Sequence, residues 1–360
     1  MQTLRALATA TALTTSFALV ASCSLGGTTD EGEGGDKGDS KTVVVATHDS
    51  WAMSKDVLKE FTEETGYTAK VEPNGDAGQL TNKLVLTKGS PIADLVYGID
   101  NTFASRAVDE GVLADYTPKD LPSSVSDYAL DDPADAAKLT PVDFGDVCVN
   151  IDDVWFRDHE ATPPATLADL TNPDYKDLFV TPGASTSSPG LAFLLATIAE
   201  YGDDGWQDYW EKLMANGTKI TAGWSDAYEV DFTAGGGHGD RPIVLSYASS
   251  PPFTIPKGET RPTTSSLSGT CFRQVEYAGV IEGAKNPKGA QAFLDFMEQR
   301  RFQEALPENM YVFPVDDGAA LPADWASYAK VPPHPYTVPA ADIAKNRDTW
   351  LREWTDLTTR

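Results

Sequence analysis

Between Gly223 and Tyr228 the chain reads G-W-S-D-A-Y, which sets an indole, a hydroxyl, a carboxylate and a phenol within the five positions from Trp224 to Tyr228. A Trp and a Tyr spaced i, i+4 could both be core on a helix, because buried aromatics outnumber ligand-stacking ones. Gly223 before them and Ser225-Asp226 between them suggest instead a turn at a strand end, a poor place to bury an indole. An indole face left open in a cleft attracts flat or cationic rings. A second device is Ser185-Thr186-Ser187-Ser188-Pro189-Gly190, placed directly before the apolar run L-A-F-L-L-A-T-I-A. Ser or Thr at the cap and Pro in the first turn make a helix N-terminus, whose free amides and dipole attract an anion. The hydroxyls beside those amides would complete a cradle for a phosphate or another polar ligand; the plain alternative is an ordinary capped helix.

Other chemistries find little support. His48, His159, His238 and His334 are scattered, with no i, i+4 pair and no partner cysteine spacing, so a zinc site is not expected. Neither G-x-S-x-G nor a Walker-type motif occurs. No cofactor is expected.

The elements that must position these residues follow an α/β pattern. K-T-V-V-V-A (41–46) is a β-branched run of the length of a buried parallel strand. The next stretch, S-K-D-V-L-K-E-F-T-E-E-T-G, predicts a helix with Val57, Leu58 and Phe61 on one face, Ser54 as N-cap and Gly66 as its stop. Strand, helix and strand then follow in Y-T-A-K-V-E-P, G-Q-L-T-N-K-L-V-L-T-K-G-S-P and A-D-L-V-Y-G-I-D. That alternation is the signature of a lobe with a parallel sheet, whose ligands bind at the carboxyl ends of strands. The ends in question are residues 47–51 and 98–101, the latter including Asp100 and Asn101. An alternating strand at 140–152 opens a second α/β unit, and the segment after Cys271 returns to strand. Residues 287–306 are expected to form one amphipathic helix begun by Pro287, and the tail another with Ile343, Trp350, Leu351 and Trp354 on one side.

Composition bounds the setting. The formal charge of −26 argues against nucleic acid or an anionic membrane surface as partner, and tolerates a cationic ligand. Arg5 and the apolar stretch Ala6 to Ala21 read as a signal peptide, 1–22. Val20-Ala21-Ser22-Cys23 resembles a bacterial lipobox, in which Cys23 would carry the lipid. Residues 24–40 hold Leu25 as their one large apolar side chain and read as a flexible tether, so the lipid-anchored linker spans 23–40. About 320 residues remain, more than one core usually serves, so two lobes are expected. Of the cysteines, Cys148 and Cys271 are left. An exported pair most simply forms a disulfide, worth about 4 kcal/mol for a loop of this length; the rival is that one is a nucleophilic thiol.

Seven segments in this order, A-T-H-D-S-W, A-D-L-V-Y-G-I-D-N, V-D-F-G-D-V-C-V-N-I-D, S-T-S-S-P-G-L-A-F-L-L, A-G-W-S-D-A-Y-E-V, V-L-S-Y-A-S-S-P and Q-V-E-Y-A-G-V, resemble the thiamine-binding component of bacterial ABC importers. The resemblance covers nearly all of the chain from Lys41 onward. It implies a periplasmic-binding-protein type II fold: two α/β lobes joined by a hinge, with the ligand between them. The lobes would be 41–142 with 273–360, carrying the C-terminal helices, and 143–272. Cys148 and Cys271 would lie near the crossings between lobes.

The same resemblance places Trp224 against the ligand's phosphate and thiazolium end, with Tyr228 in the same motif. Ser187 would contact a phosphate or hydroxyl, with Ser185 and Thr186 beside it. Tyr247 and Phe253 would be pocket aromatics, and Asp100 and Asn101 would meet the aminopyrimidine or the cationic ring. His48 and Tyr311 stand where a family member has Tyr and Trp; both keep a flat polar ring, and His48 adds a charge near about pH 6.

The implied role is a monomeric lipoprotein on the outer face of the cell membrane that passes thiamine or its phosphates to a permease without catalysis. The alternatives are a receptor of the same fold for ferric iron, a polyamine or a phosphonate, and a thiaminase-like enzyme whose nucleophile would be Cys148 or Cys271.

Overall fold

β-branched runs, capped helices and glycine stops generate the first unit as expected. A computed structural model describes residues 40–359. The signal peptide, Cys23 and the tether lie outside the described residues, apart from Ser40. The unit runs β1 (Thr42–Thr47), α1 (Lys55–Thr65), β2 (Thr68–Pro73), α2 (Ala77–Leu86), β3 (Leu95–Asp100), α3 (Ala104–Asp109) and the short α4 (Pro133–Ala136). Ser54 caps α1 by accepting from the Val57 N–H, and Gly66 closes it at φ 71°. β1 pairs in parallel with β2 and with β3.

Next come β4 (Thr140–Asp152), buried along its whole length, α5 (Asp153–Asp158), β5 (Phe179–Pro182), α6 (Ser188–Tyr201), α7 (Trp206–Ala215), β6 (Lys219–Thr221), β7 (Ile243–Tyr247) and β8 (Thr264–Ser266). The chain ends with β9 (Phe272–Val280), α8 (Pro287–Met297), α9 (Arg300–Met310), β10 (Phe313–Pro314), α10 (Ala323–Tyr328) and α11 (Ala340–Thr358). Among the described residues, no helix is long and apolar enough to cross a membrane.

The strands join in one sheet ordered β2-β1-β3-β9-β4-β7-β5-β6, with β8 and β10 paired to β4 off that path. β9 and β4 are antiparallel to each other, and they carry the sheet from the parallel flank β2-β1-β3 to the flank β7-β5-β6. Aromatics fill the layers on either side. Phe61, Phe293, Phe296 and Phe302 are fully buried among α1, α8 and α9. Phe193, Trp206 and Trp210 fill α6 and α7. The C-terminal α11 lies on α7, where Trp354 meets Trp210 edge-on at 5.5 Å and the Gln207 amide donates to Glu353. Cys148 in β4 and Cys271 just before β9 are bonded to each other and buried.

Two local expectations are corrected. Residues 287–306 are two helices: α8 ends at Met297, and Gln299 is extended (ψ 144°) before α9 begins. The buried Gln303 amide in α9 donates back to the Met297 carbonyl and to Val142, so the break satisfies one of the carbonyls it exposes. The strand expected to end at G-W-S-D-A-Y stops earlier, at Thr221, and the segment closes into a π-helical turn, Asp226–Asp231. Trp224 and Tyr228 therefore share one face of a turn.

Candidate ligand-binding site

The carboxyl ends of β1, β6 and β7, the N-termini of α2 and α6, and the end of α9 converge on a half-open cavity. His48, Asp76, Ser188, Trp224, Tyr247, Glu229, Glu276 and Tyr311 line it, together with Ser50, Asn309 and Met310.

The aromatic wall is braced from behind. The Trp224 indole N–H donates to the Ser246 hydroxyl at 3.0 Å, and the Tyr228 ring stacks on the indole at 5.0 Å with 12° between planes. Tyr311 meets Trp224 edge-on at 6.1 Å, and Tyr247 is tilted against it at 6.4 Å. Phe253 stacks behind Tyr311 at 3.4 Å between centroids. Tyr228 and Phe253, both expected as contacts, thus stand behind the rings that line the cavity. Tyr311 itself holds a left-handed backbone, φ 62°, and its carbonyl accepts from the Ser249 hydroxyl. Such a conformation in a bulky residue is strained and is kept only where surroundings impose it.

The floor is a buried polar cluster. His48, at the end of β1, lies with Nε2 3.6 Å from Glu276 of β9. The Tyr97 hydroxyl donates to Asp143 at 2.7 Å and to Glu276 at 3.1 Å. Burial opposes the His48 imidazolium, yet Glu276, with Asp76 and Asp49, raises its pKa above 6.5. Burial likewise opposes the Glu276 carboxylate, and His48 with its hydrogen-bond donors brings that pKa below its ordinary value. Asp143 is driven well above the carboxylate range by burial and by Glu276, so it is the neutral member. Gly98, at φ 99°, makes the His48 seat possible: a Cβ there would lie 2.3 Å from the imidazole Cδ2.

The remaining residues expected at the site are placed as follows. Asp100 is fully buried beneath the cavity wall, accepting from the Thr102 hydroxyl, the Thr102 and Phe103 amides and the Ser188 hydroxyl. Burial raises its pKa to about 7. Asn101 joins β3 to β9 by accepting from the Val275 N–H and donating to the Arg273 carbonyl. The Thr186 hydroxyl donates to the Ala222 carbonyl at 2.7 Å. Ser187 is buried at the cap position of α6 with its hydroxyl unpartnered. Ser185 is half-buried in the turn before it, and of the hydroxyl-bearing residues in this run Ser188 is the one that lines the cavity, next to Pro189.

Sequence reasoning missed Asp76, Glu229 and Glu276. Asp76 caps α2 through the Ala77 N–H at 2.7 Å, and its second oxygen accepts from the Trp224 N–H at 2.9 Å. The Ser188 N–H, in the first turn of α6, points to the same carboxylate at 3.3 Å. Asp76 falls just outside the segment read as a helix, which begins at Gly78, and Glu276 lies in a segment read only as strand.

A continuous mixed sheet bridged by two long strands, with an aromatic and acidic cavity where its flanks meet, is the periplasmic-binding-protein type II architecture of extracellular solute receptors. Comparison bears this out. The family of bacterial extracellular solute-binding proteins matches residues 90–234. The thiamine-binding periplasmic protein of Brucella suis is 30% identical over 331 residues, 89% of this chain and 92% of that protein. Its Escherichia coli namesake is 30% identical over 319 residues, 87% and 92% of the two chains. The solved structure of a periplasmic thiamin-binding protein superposes with a TM-score of 0.74 at 29% identity, covering 89% of this chain and 96% of that one. The chain belongs to the thiamine-binding periplasmic protein family, and is a binding protein, not an enzyme.

Proposed function

We propose that this protein captures thiamine between two lobes outside the cytoplasm and delivers it to an ABC importer, held at the membrane by lipid on Cys23. The observation that carries the ligand assignment is the composition of the cavity: three aromatic rings, Trp224 with Tyr247 tilted against it and Tyr311 edge-on to it, and the carboxylates Asp76, Glu229 and Glu276. A fixed organic cation with two flat rings meets both needs, since π faces and carboxylates each stabilise it. The names of the relatives supply the same molecule. The lobes are read as 41–142 with 273–360, and 143–272, crossing at β4 and β9, with α11 of the first group resting on α7 of the second. Closure of such lobes buries the ligand by a hinge motion.

A thiaminase-like alternative would need a cysteine nucleophile. The two cysteines among the described residues are bonded to each other, which leaves neither as a thiolate.

The test is calorimetric titration of protein stripped of carried ligand by unfolding and refolding. One-to-one binding of thiamine with no turnover is expected; no heat with thiamine or its esters would redirect the search to the small molecule that co-purifies with the native protein. Metabolic labelling with a fatty acid, in native protein and Cys23→Ala, checks the anchor: label retained by the variant would refute it.

A further inference from the structure

An organic cation entering the cavity meets a positive charge already there. Among the described residues that line it none is Lys or Arg, so its single basic side chain is His48. The imidazole Nε2 lies 3.6 Å from Glu276 Oε1, beyond a hydrogen bond, and has no hydrogen-bond partner. Glu276 is held more firmly by the Tyr97 hydroxyl of β3, which donates to Oε2 at 3.1 Å, while the Gln274 amide approaches Oε1 at 3.4 Å. The titratable groups around the imidazole are all acids: Glu276 from β9, Tyr97 from β3 with Asp143 of β4 at its hydroxyl, Asp76 from the cap of α2, and Asp49 next to it in sequence. Glu229 and Tyr247 line the same cavity. This setting keeps the ring protonated above its ordinary range in spite of burial, with Glu276 the main cause. A second cation beside the same carboxylate would be repelled, and strongly so away from bulk water. Of the two cations, the imidazolium is the one able to discard its charge.

We propose, resting on the thiamine reading above, that capture is a cation-for-proton exchange at His48: the fixed charge of the ligand replaces the imidazolium beside Glu276, and one ring proton of His48 passes to solvent. The N–H bond of the ring is the only one broken, and the imidazole remains in place as a neutral side chain. Because the bound cation disfavours the protonated ring, affinity is full above the range in which His48 titrates in the free protein and falls as pH drops through it.

Calorimetric titration with thiamine across neutral pH, in buffers of different ionisation enthalpy, tests it on native, His48→Gln and His48→Asn protein. Both replacements are neutral at every pH, and a thermal melt shows which of them folds. The native protein is expected to bind thiamine at least about fivefold more tightly at about pH 8 than at about pH 6, with release of up to about one proton, and the folded variant to lose at least about half of each effect. A native affinity that is flat with pH overturns the exchange. So does a slope that the variant keeps, since Asp76 or Asp100, both buried acids with raised pKa, would then be the source of the proton. If thiamine binds at no pH, the thiamine reading fails, and nuclear magnetic resonance of the histidine rings with tetramethylammonium as a bare cation probe still decides the exchange. The His48 signal is the one missing from the variant. A titration midpoint that moves to lower pH as the probe is added supports the exchange, and one that stays in place overturns it.

Discussion

Trp224 is fixed before any ligand arrives, by Ser246 at its nitrogen, Tyr228 behind its face and Tyr311 at its edge. Preorganisation of this kind makes a single aromatic carry much of a binding energy. Trp224→Ala is expected to weaken thiamine binding by about a hundredfold or more while the far-ultraviolet circular dichroism stays native; unchanged affinity in a folded variant would refute the role.

Asp100 shows a different use of a buried acid. Its folded pKa of about 7 lies above the ordinary 3.8 because burial disfavours the carboxylate more than the Ser188 and Thr102 hydrogen bonds favour it. A raised folded pKa favours the protonated form in the native state. Its contribution is therefore full below about pH 4 and is lost as pH rises through about 7, a difference on the order of 4 kcal/mol. Thermal melts of Asp100→Asn should fall less between those pH values than melts of the native protein, and parallel curves would refute the assignment. The strand-end position of Asp100 and Asn101 was legible in the sequence, but whether each side chain faced the cavity or the interior was not. That depends on how β3 is laid against β9, and the register shifts between Tyr97 and Ile99.

Among the elements, those with their own punctuation were legible. α1 carries its cap and stop in Ser54 and Gly66, and β4 spans the thirteen residues that its alternating pattern marked. The break between α8 and α9 was not, since Glu298 and Gln299 are neither glycine nor proline and the helical pattern runs on through them. Nor was the cross-chain reach of Asp76, because its partners belong to elements more than a hundred residues later. The pocket also depends on a residue with no side chain. A Cβ on Gly145 of β4 would lie 2.7 Å from Cδ1 of the Tyr247 ring. Gly145→Ala is expected to push that ring from its seat, costing about 1–3 kcal/mol of stability and weakening thiamine binding severalfold. Denaturant unfolding with calorimetry on the same variant checks both, and wild-type values in the two would show that the strand can yield.

At the scale of the molecule, β4 and β9 are shared by both flanks of the sheet, and the Cys148–Cys271 bond ties one to the approach of the other. Its sequence separation of 123 makes the bond worth roughly 4–5 kcal/mol in the chain-entropy account. Mild reduction of the native protein, or paired replacement of both cysteines by serine, should lower the midpoint of denaturation without removing thiamine binding; an unchanged midpoint would mean that native packing alone already supplies the constraint.

The same bond also sets how the protein responds to being pulled. A covalent ring closed between residues 148 and 271 withholds roughly 400 Å of contour length from any extension, at about 3.3–3.6 Å per residue. Stretched between its ends, the oxidised chain would pay out only the segments on either side of the ring, and a reducing agent would release the hidden length as a single added increment in a force–extension trace.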